Sequence, residues 1–96
     1  MSFEEPISKG FTIYSKSGCP NCRNVKNLLT KKNIFFHVID CDDYLLFERD
    51  EFLSYIEKKA CKEYKSFPIV FKDDIFIGGF VDTEKYLQQE QEQEQR

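Results

Sequence analysis

The stretch from Gly10 to Asp40 reads GFTIYSKSGCPNCRNVKNLLTKKNIFFHVID, and the order of elements within it decides the fold. Gly10 to Ser15 is rich in β-branched and aromatic residues, which predicts a short strand. Lys16-Ser17-Gly18 makes a turn. Pro20 suits the first position of a helix, where its missing N–H has no acceptor to lose. Val25, Leu28 and Leu29 follow at helical spacing, and Lys31, Lys32 and Asn33 make a suitable C-terminus. Ile34 to Asp40 is apolar on both faces, as a buried parallel strand would be. Strand, helix and strand in this order form a βαβ unit with a right-handed crossover.

Further along, Asp42-Asp43 opens a second helical region, with Leu46, Leu53, Ile56 and Ala60 roughly on one face. Phe67 to Phe71 reads as a strand beginning at a proline. Lys72-Asp73-Asp74 is a hairpin turn, and Ile75 to Ile77 is its partner strand, ended by Gly78-Gly79. Asp82 or Thr83 can cap a last helix that runs through Tyr86 and Leu87. The order is β-α-β-α-β-β-α. The expected fold class is α/β, with a four-stranded mixed sheet, the late hairpin adding antiparallel strands, and helices on both faces. Residues 1–9 are expected to form an N-terminal extension and residues 10–87 the domain. Residues 88–96, QQEQEQEQR, are polar and repetitive, which predicts a frayed helix end or a disordered tail.

A chain of 96 residues suffices for one small domain. Its 41% hydrophobic and 32% charged residues are a globular balance. Ten Phe and five Tyr supply large core side chains. The apolar runs are far too short for a transmembrane helix. The segment MSFEEPISKGF has acidic residues and no apolar run, so no secretory leader and a cytoplasmic location are expected. A formal charge of −3 gives no reason to expect nucleic acid as a partner. The chain reads as a monomer. Charge is uneven, however. Lys9 to Lys32 holds six basic residues and no acidic one, whereas Asp40 to Glu51 holds six acidic residues and one Arg. The basic block surrounds the first two cysteines, where a positive field stabilises thiolate and attracts anions.

Those cysteines, in Cys19-Pro20-Asn21-Cys22, fall between a strand and a helix. Cys19 lies at the helix start, where free N–H groups and the positive end of the dipole favour its thiolate. Lys16, Arg23 and Lys26 add to that. Cys22, one turn in, gains less and should be more buried. Cys19 therefore attacks and Cys22 resolves. A zinc site would need two further ligands. Cys41, Cys61 and His37 exist, but they form no second CxxC or HxxxH, so no metal is expected. Cys41 and Cys61 read as small buried hydrophobes, and His37 as a packed core side chain on a central strand.

Tyr14-Ser15-Lys16-Ser17-Gly18-Cys19-Pro20-Asn21-Cys22 resembles the active-site segment of dithiol glutaredoxins, which have a thioredoxin-like fold. Ser66-Phe67-Pro68 resembles the family's Thr-Val-Pro, whose proline is cis and faces the cysteines. Gly78-Gly79-Phe80-Val81-Asp82 resembles the Gly-Gly-x-x-Asp that holds glutathione. The resemblance, from about Gly10 to Leu87, implies a glutathione-dependent thiol–disulfide oxidoreductase acting on protein disulfides and glutathione mixed disulfides. It implies a groove in which Lys16 faces the glycine-end carboxylate of glutathione, with Lys65 able to assist. Phe67, just before the cis Pro68, pairs its backbone with the cysteinyl part. The turn at Gly79, the N–H of Val81 and the carboxylate and N–H of Asp82 hold the γ-glutamyl end. Ribonucleotide reductase enters by the same resemblance as an electron acceptor. Asn21 stands where the family usually has Tyr, Phe67 where it has Val, and Ser66 where it has Thr.

Two other readings belong beside it. A thioredoxin-like dithiol reductant recycled by a flavoprotein reductase shares the chemistry, but it has no use for Lys16 and Asp82 as a tripeptide clamp. An iron–sulfur or metal carrier could share a cluster between protomers through Cys19, a role that Pro20 disfavours by stiffening the helix start.

Overall fold

The computed structural model describes residues 3–94. Its elements are β1 (Phe11–Ser15), α1 (Pro20–Lys31), β2 (Phe36–Asp40), α2 (Asp42–Phe47), α3 (Arg49–Ala60), β3 (Ile69–Lys72), β4 (Ile75–Gly78) and α4 (Phe80–Glu94). They form a four-stranded mixed sheet in the order β2-β1-β3-β4. β1 is parallel to β2 and antiparallel to β3, and β4 is antiparallel to β3. This is the expected thioredoxin-like arrangement, with one refinement. The second helical region breaks at Glu48, whose backbone (φ −143, ψ 40) is not helical, and becomes α2 and α3.

All five residues of β1 are buried, and their alternation builds two cores. Phe11 and Ile13 point to one face and meet Val25 and Leu29 of α1, Leu87 of α4 and Val70 of β3. Tyr14 points to the other and meets Phe52 and Ile56 of α3, with Ile39, Cys41, Ile69 and Phe71. Phe52 has no exposed surface, and truncating such a residue to Ala costs about 3–5 kcal/mol. Of the two aromatics in the acidic stretch, Tyr44 joins this core while Phe47 is exposed. Tyr44 and Phe52 close around Phe3, with ring centroids 4.9 and 5.4 Å away.

Residues 3–9 therefore dock onto the domain. The Tyr14 hydroxyl donates to the Glu4 carbonyl at 2.7 Å, and the Ile7 N–H donates to Thr12 Oγ1 at 2.9 Å. Met1 and Ser2 lie outside the described residues.

Four expectations are corrected. β2 is an edge strand, and of Phe36–Asp40 only Ile39 is buried. Phe35 and Val38 face solvent, and His37 is half-exposed and pairs with Glu4 at 2.6 Å. Cys61 is exposed, because it ends α3 in the left-handed conformation with φ 60. α4 starts at Phe80, two residues before the expected cap. Residues 88–94 belong to the end of the same helix, one of the two forms expected there, since Gln and Glu are good helix formers. Gln95 and Arg96 lie outside the described residues. None of the described helices is long and apolar enough to cross a membrane.

Candidate active site

Strand register carries three separated segments to one end of the sheet. Ser15 pairs with Asp40, Tyr14 with Ile69 and Val70 with Gly78. The chain leaves the sheet there at Lys16, returns at Pro68 and leaves again at Gly79. The Phe67–Pro68 bond is cis, as expected.

Cys19 is the N-cap of α1, with Pro20 at the first helical position and no acidic residue in the first turn. Its sulfur accepts from the Cys22 N–H at 3.2 Å, which is the bond an N-cap oxygen would make. The extended backbone at Cys19 (φ −114, ψ 103) aims the side chain back at those donors. Cys19 is half-buried and Cys22 is only 2% exposed. Burial pushes the Cys22 thiol up, and the adjacent Cys19 sulfur adds to this. Hydrogen bonds from the Lys16 backbone N–H and the Ser15 hydroxyl hold it partly down. The two sulfurs are thus placed unequally, one at the open helix end and one beneath it. Thiols arranged so can exchange with a disulfide, the outer attacking and the inner closing.

Lys16 is exposed, and its ammonium lies 5.4 Å from the centre of the Phe67 ring. That ring in turn stacks on Phe52, 6.5 Å between centroids. Lys16 makes no ion pair among the described residues. Lys65 is exposed as well but pairs with Glu63 at 3.5 Å. It lines a cleft with Asp50, Leu53 and Ser54 of α3.

At the third segment, Asp82 accepts from the Gly79 N–H at 3.0 Å. Asp82 is the third residue of α4 and reaches back to the residue before the helix, which is one half of a capping box. The other contacts come from Thr83, whose N–H and hydroxyl donate to the Gly79 carbonyl at 3.0 and 2.8 Å. The N–H groups of Phe80, Val81 and Asp82 precede that first turn bond, and Val81 is exposed. Such N–H groups, at the positive end of the dipole, suit a carboxylate.

Of the residues singled out in the sequence, the structure brings Cys19 to Cys22, Lys16 to Phe67, and Gly79 to Asp82 and Pro68. Lys65 stands apart. Two residues, Tyr64 and Asp42, escaped the sequence reading, and the need for glycine at position 78 shows only in the structure. Gly78 has φ 132, and a Cβ there would lie 2.7 Å from Asp82 Cγ, so only glycine lets the carboxylate fold back. Glycine four residues before Asp, at a strand end, was the available signal. Tyr64 brings its hydroxyl against Gly79 and packs on Phe76. Burial and the charge of Asp82 push that hydroxyl's pKa up. Asp42 accepts from both the N–H (2.8 Å) and the hydroxyl of Ser17. Nothing local in the sequence announces either of the last two.

Residues 11–77 match the family model described as Glutaredoxin. The Glutaredoxin-like protein NrdH of Lactococcus lactis subsp. cremoris is 34% identical over 73 residues, covering 76% of this chain and 90% of that protein. Glutaredoxin 1 of Rickettsia felis is 34% identical over 67 residues, covering 70% of this chain and 61% of the relative. Among solved structures, glutaredoxin 1 from Francisella tularensis, complexed with cacodylate, has a TM-score of 0.73 at 30% identity. That match covers 82% of this chain and 92% of the other.

Proposed function

The chain belongs to the glutaredoxin family of thiol–disulfide oxidoreductases, and from that membership we propose that its Cys19/Cys22 dithiol is recharged by glutathione. The observation that carries the reading is that Lys16, without an ion pair among the described residues, and the start of α4 both lie at the sheet end that holds Cys19. Glutathione offers two carboxylates and one ammonium. Lys16, held over Phe67, meets the glycine-end carboxylate, and Lys65 assists once it leaves Glu63. The backbone of Phe67, fixed by Pro68, pairs with the cysteinyl part. The turn at Gly79 sets the start of α4, where the N–H groups of Val81 and Asp82 and the Asp82 carboxylate meet the γ-glutamyl end.

The steps follow from the unequal sulfurs. Cys19 thiolate attacks one sulfur of a substrate disulfide and expels the other as thiolate. Cys22 gives up its proton and attacks the Cys19 sulfur, which frees the substrate's second thiol. The dithiol has then lost two electrons and two protons, and the substrate has gained them. Glutathione supplies two thiols that restore the dithiol and end as glutathione disulfide. For a glutathione mixed disulfide Cys19 alone suffices. Protein disulfides in the cytoplasm, ribonucleotide reductase among them, are the partners the reading names.

A coupled assay with glutathione, glutathione reductase and a small glutathione mixed disulfide tests this. Turnover that falls severalfold in both Lys16→Ala and Asp82→Ala through a raised KM supports the groove. The second reading, recharging by a flavoprotein reductase, gains from one observation, that Lys65 is paired with Glu63 rather than free to meet a carboxylate. No glutathione turnover, together with rapid reduction by such a reductase, would establish it.

A further inference from the structure

The acidic stretch after β2 has one member that reaches the redox loop. Asp42, the first residue of α2, accepts from the Ser17 N–H at 2.8 Å through Oδ1 and from the Ser17 hydroxyl through Oδ2. Ser17 lies at the middle of the turn between β1 and the Cys19 cap, and both of its donors are committed to this one carboxylate. The base of the contact is fixed as well. The Cys41 N–H donates to the Ser15 carbonyl at 2.8 Å, and the Asp42 N–H donates to Asp40 Oδ1 at 3.0 Å. The loop is therefore tied to α2 on one side of Ser17 and continues into α1 on the other. Ser15, the last residue of β1, and Lys16, the first of the loop, also lower the Cys22 thiol against its burial.

We propose that Asp42 is a positioning residue for the resolving thiol, holding Lys16–Gly18 in the form that keeps Cys22 in line with the Cys19 sulfur. The inference rests on the assignment of Cys22 as the thiol that closes the cycle. Cys19 takes its own donor from the Cys22 N–H inside α1 and makes no side-chain bond to Ser17 or Asp42 among the described residues. Loosening the loop therefore slows the second exchange while leaving the first attack nearly intact. A displacement of an ångström at a reacting group costs up to about a hundredfold in rate.

The experiment uses the full chain, reduced beforehand and freed of reductant, in single turnover with a fluorogenic peptide disulfide. Alkylation of Cys19 by iodoacetamide is measured in parallel in a Cys61→Ser background. In Asp42→Ala, closure of the Cys19–Cys22 disulfide is expected to slow about tenfold, with Cys19 alkylation within about twofold of the parent. Asp42→Asn keeps an acceptor for the Ser17 N–H and should recover much of the loss. Ser17→Ala should slow closure as well and add little to Asp42→Ala, because the two share one contact. Melting curves of all variants separate misfolding from misplacement, with Asp42→Asn as the milder change. Unchanged closure in Asp42→Ala overturns the proposal, and so does an equal loss in closure and alkylation. Cys22→Ser is the control for the underlying assignment. If it still releases both peptide thiols at the parent rate, that assignment fails. If it does not, and Asp42→Ala closes normally, only the role of Asp42 fails.

Discussion

Replacing Gly78 by Ala should damage this protein far more than replacing its neighbour Gly79, although the sequence offers no reason to rank them. Gly78 has φ 132, and an added Cβ would stand 2.7 Å from Asp82 Cγ and 2.8 Å from Asp82 Cβ. Holding Ala in that region of backbone space costs about 1–3 kcal/mol. To relieve the overlap Asp82 must swing away and give up the bond from the Gly79 N–H, a further ~1 kcal/mol. The sum is roughly 2–4 kcal/mol, and at ~4–8 °C per kcal/mol for a domain of this size the melting temperature should fall roughly 10–30 °C. At Gly79 a Cβ would meet the Tyr64 hydroxyl at 2.8 Å and the Pro68 carbonyl at 3.7 Å. The far end of a tyrosine can turn aside, so Gly79→Ala should cost less than about 1 kcal/mol. Thermal unfolding by circular dichroism compares the two variants, and the glutathione KM of the folded Gly78→Ala protein should rise because Asp82 is displaced. Equal melting temperatures, or a larger loss at Gly79, would refute the reasoning.

Cysteine reactivity should follow burial. In the native reduced protein iodoacetamide should label Cys61 and Cys19, whereas Cys41, with no exposed surface and a thiol pushed up to about 12 by burial, should react only on unfolding. Mass spectrometry of a time course checks the order, and early labelling of Cys41 would contradict it. Cys19→Ser should abolish all exchange, while Cys22→Ser should keep much of the activity on glutathione mixed disulfides and lose most of it on protein disulfides. A fully active Cys19→Ser would reverse the roles. Acid should destabilise the fold through two carboxylates. Ser17 holds Asp42 below the usual carboxylate range, and the Gly10 N–H and Lys72 hold Asp73 there. Both folded values lie below the unfolded ones, so their contribution is complete above about pH 4 and is lost as pH falls through the depressed values. Asp42→Asn/Asp73→Asn should therefore show a shallower loss of melting temperature between neutral and strongly acid pH, and an unchanged slope would count against these contacts.

The sequence by itself determined what depends on neighbours along the chain. The βαβ order of Gly10–Asp40 followed from side-chain periodicity. The Cys19 cap followed from Pro20 and the spacing to Cys22, because a helix start is a local event three or four residues long. The hairpin followed from Asp73 and Asp74, both of which adopt positive φ. The three segments that carry the family resemblance were legible as strings before their meeting place was known. Only the tertiary structure decided matters that depend on which strand lies beside which. Ile34–Asp40 has the composition of a buried strand, yet β2 forms the sheet edge, so Val38 faces solvent and His37 turns to Glu4. Phe3 lies in a segment with no periodicity and still enters the aromatic core. Lys65 and Lys16 have similar chemistry in the sequence, but Glu63 takes one and the Phe67 ring the other. The Ser17–Asp42 contact spans 25 residues and exists because Ser15 and Asp40 are paired in register. A one-residue slip of that pairing would turn the β2 side chains to the opposite face and remove Asp42 from the loop.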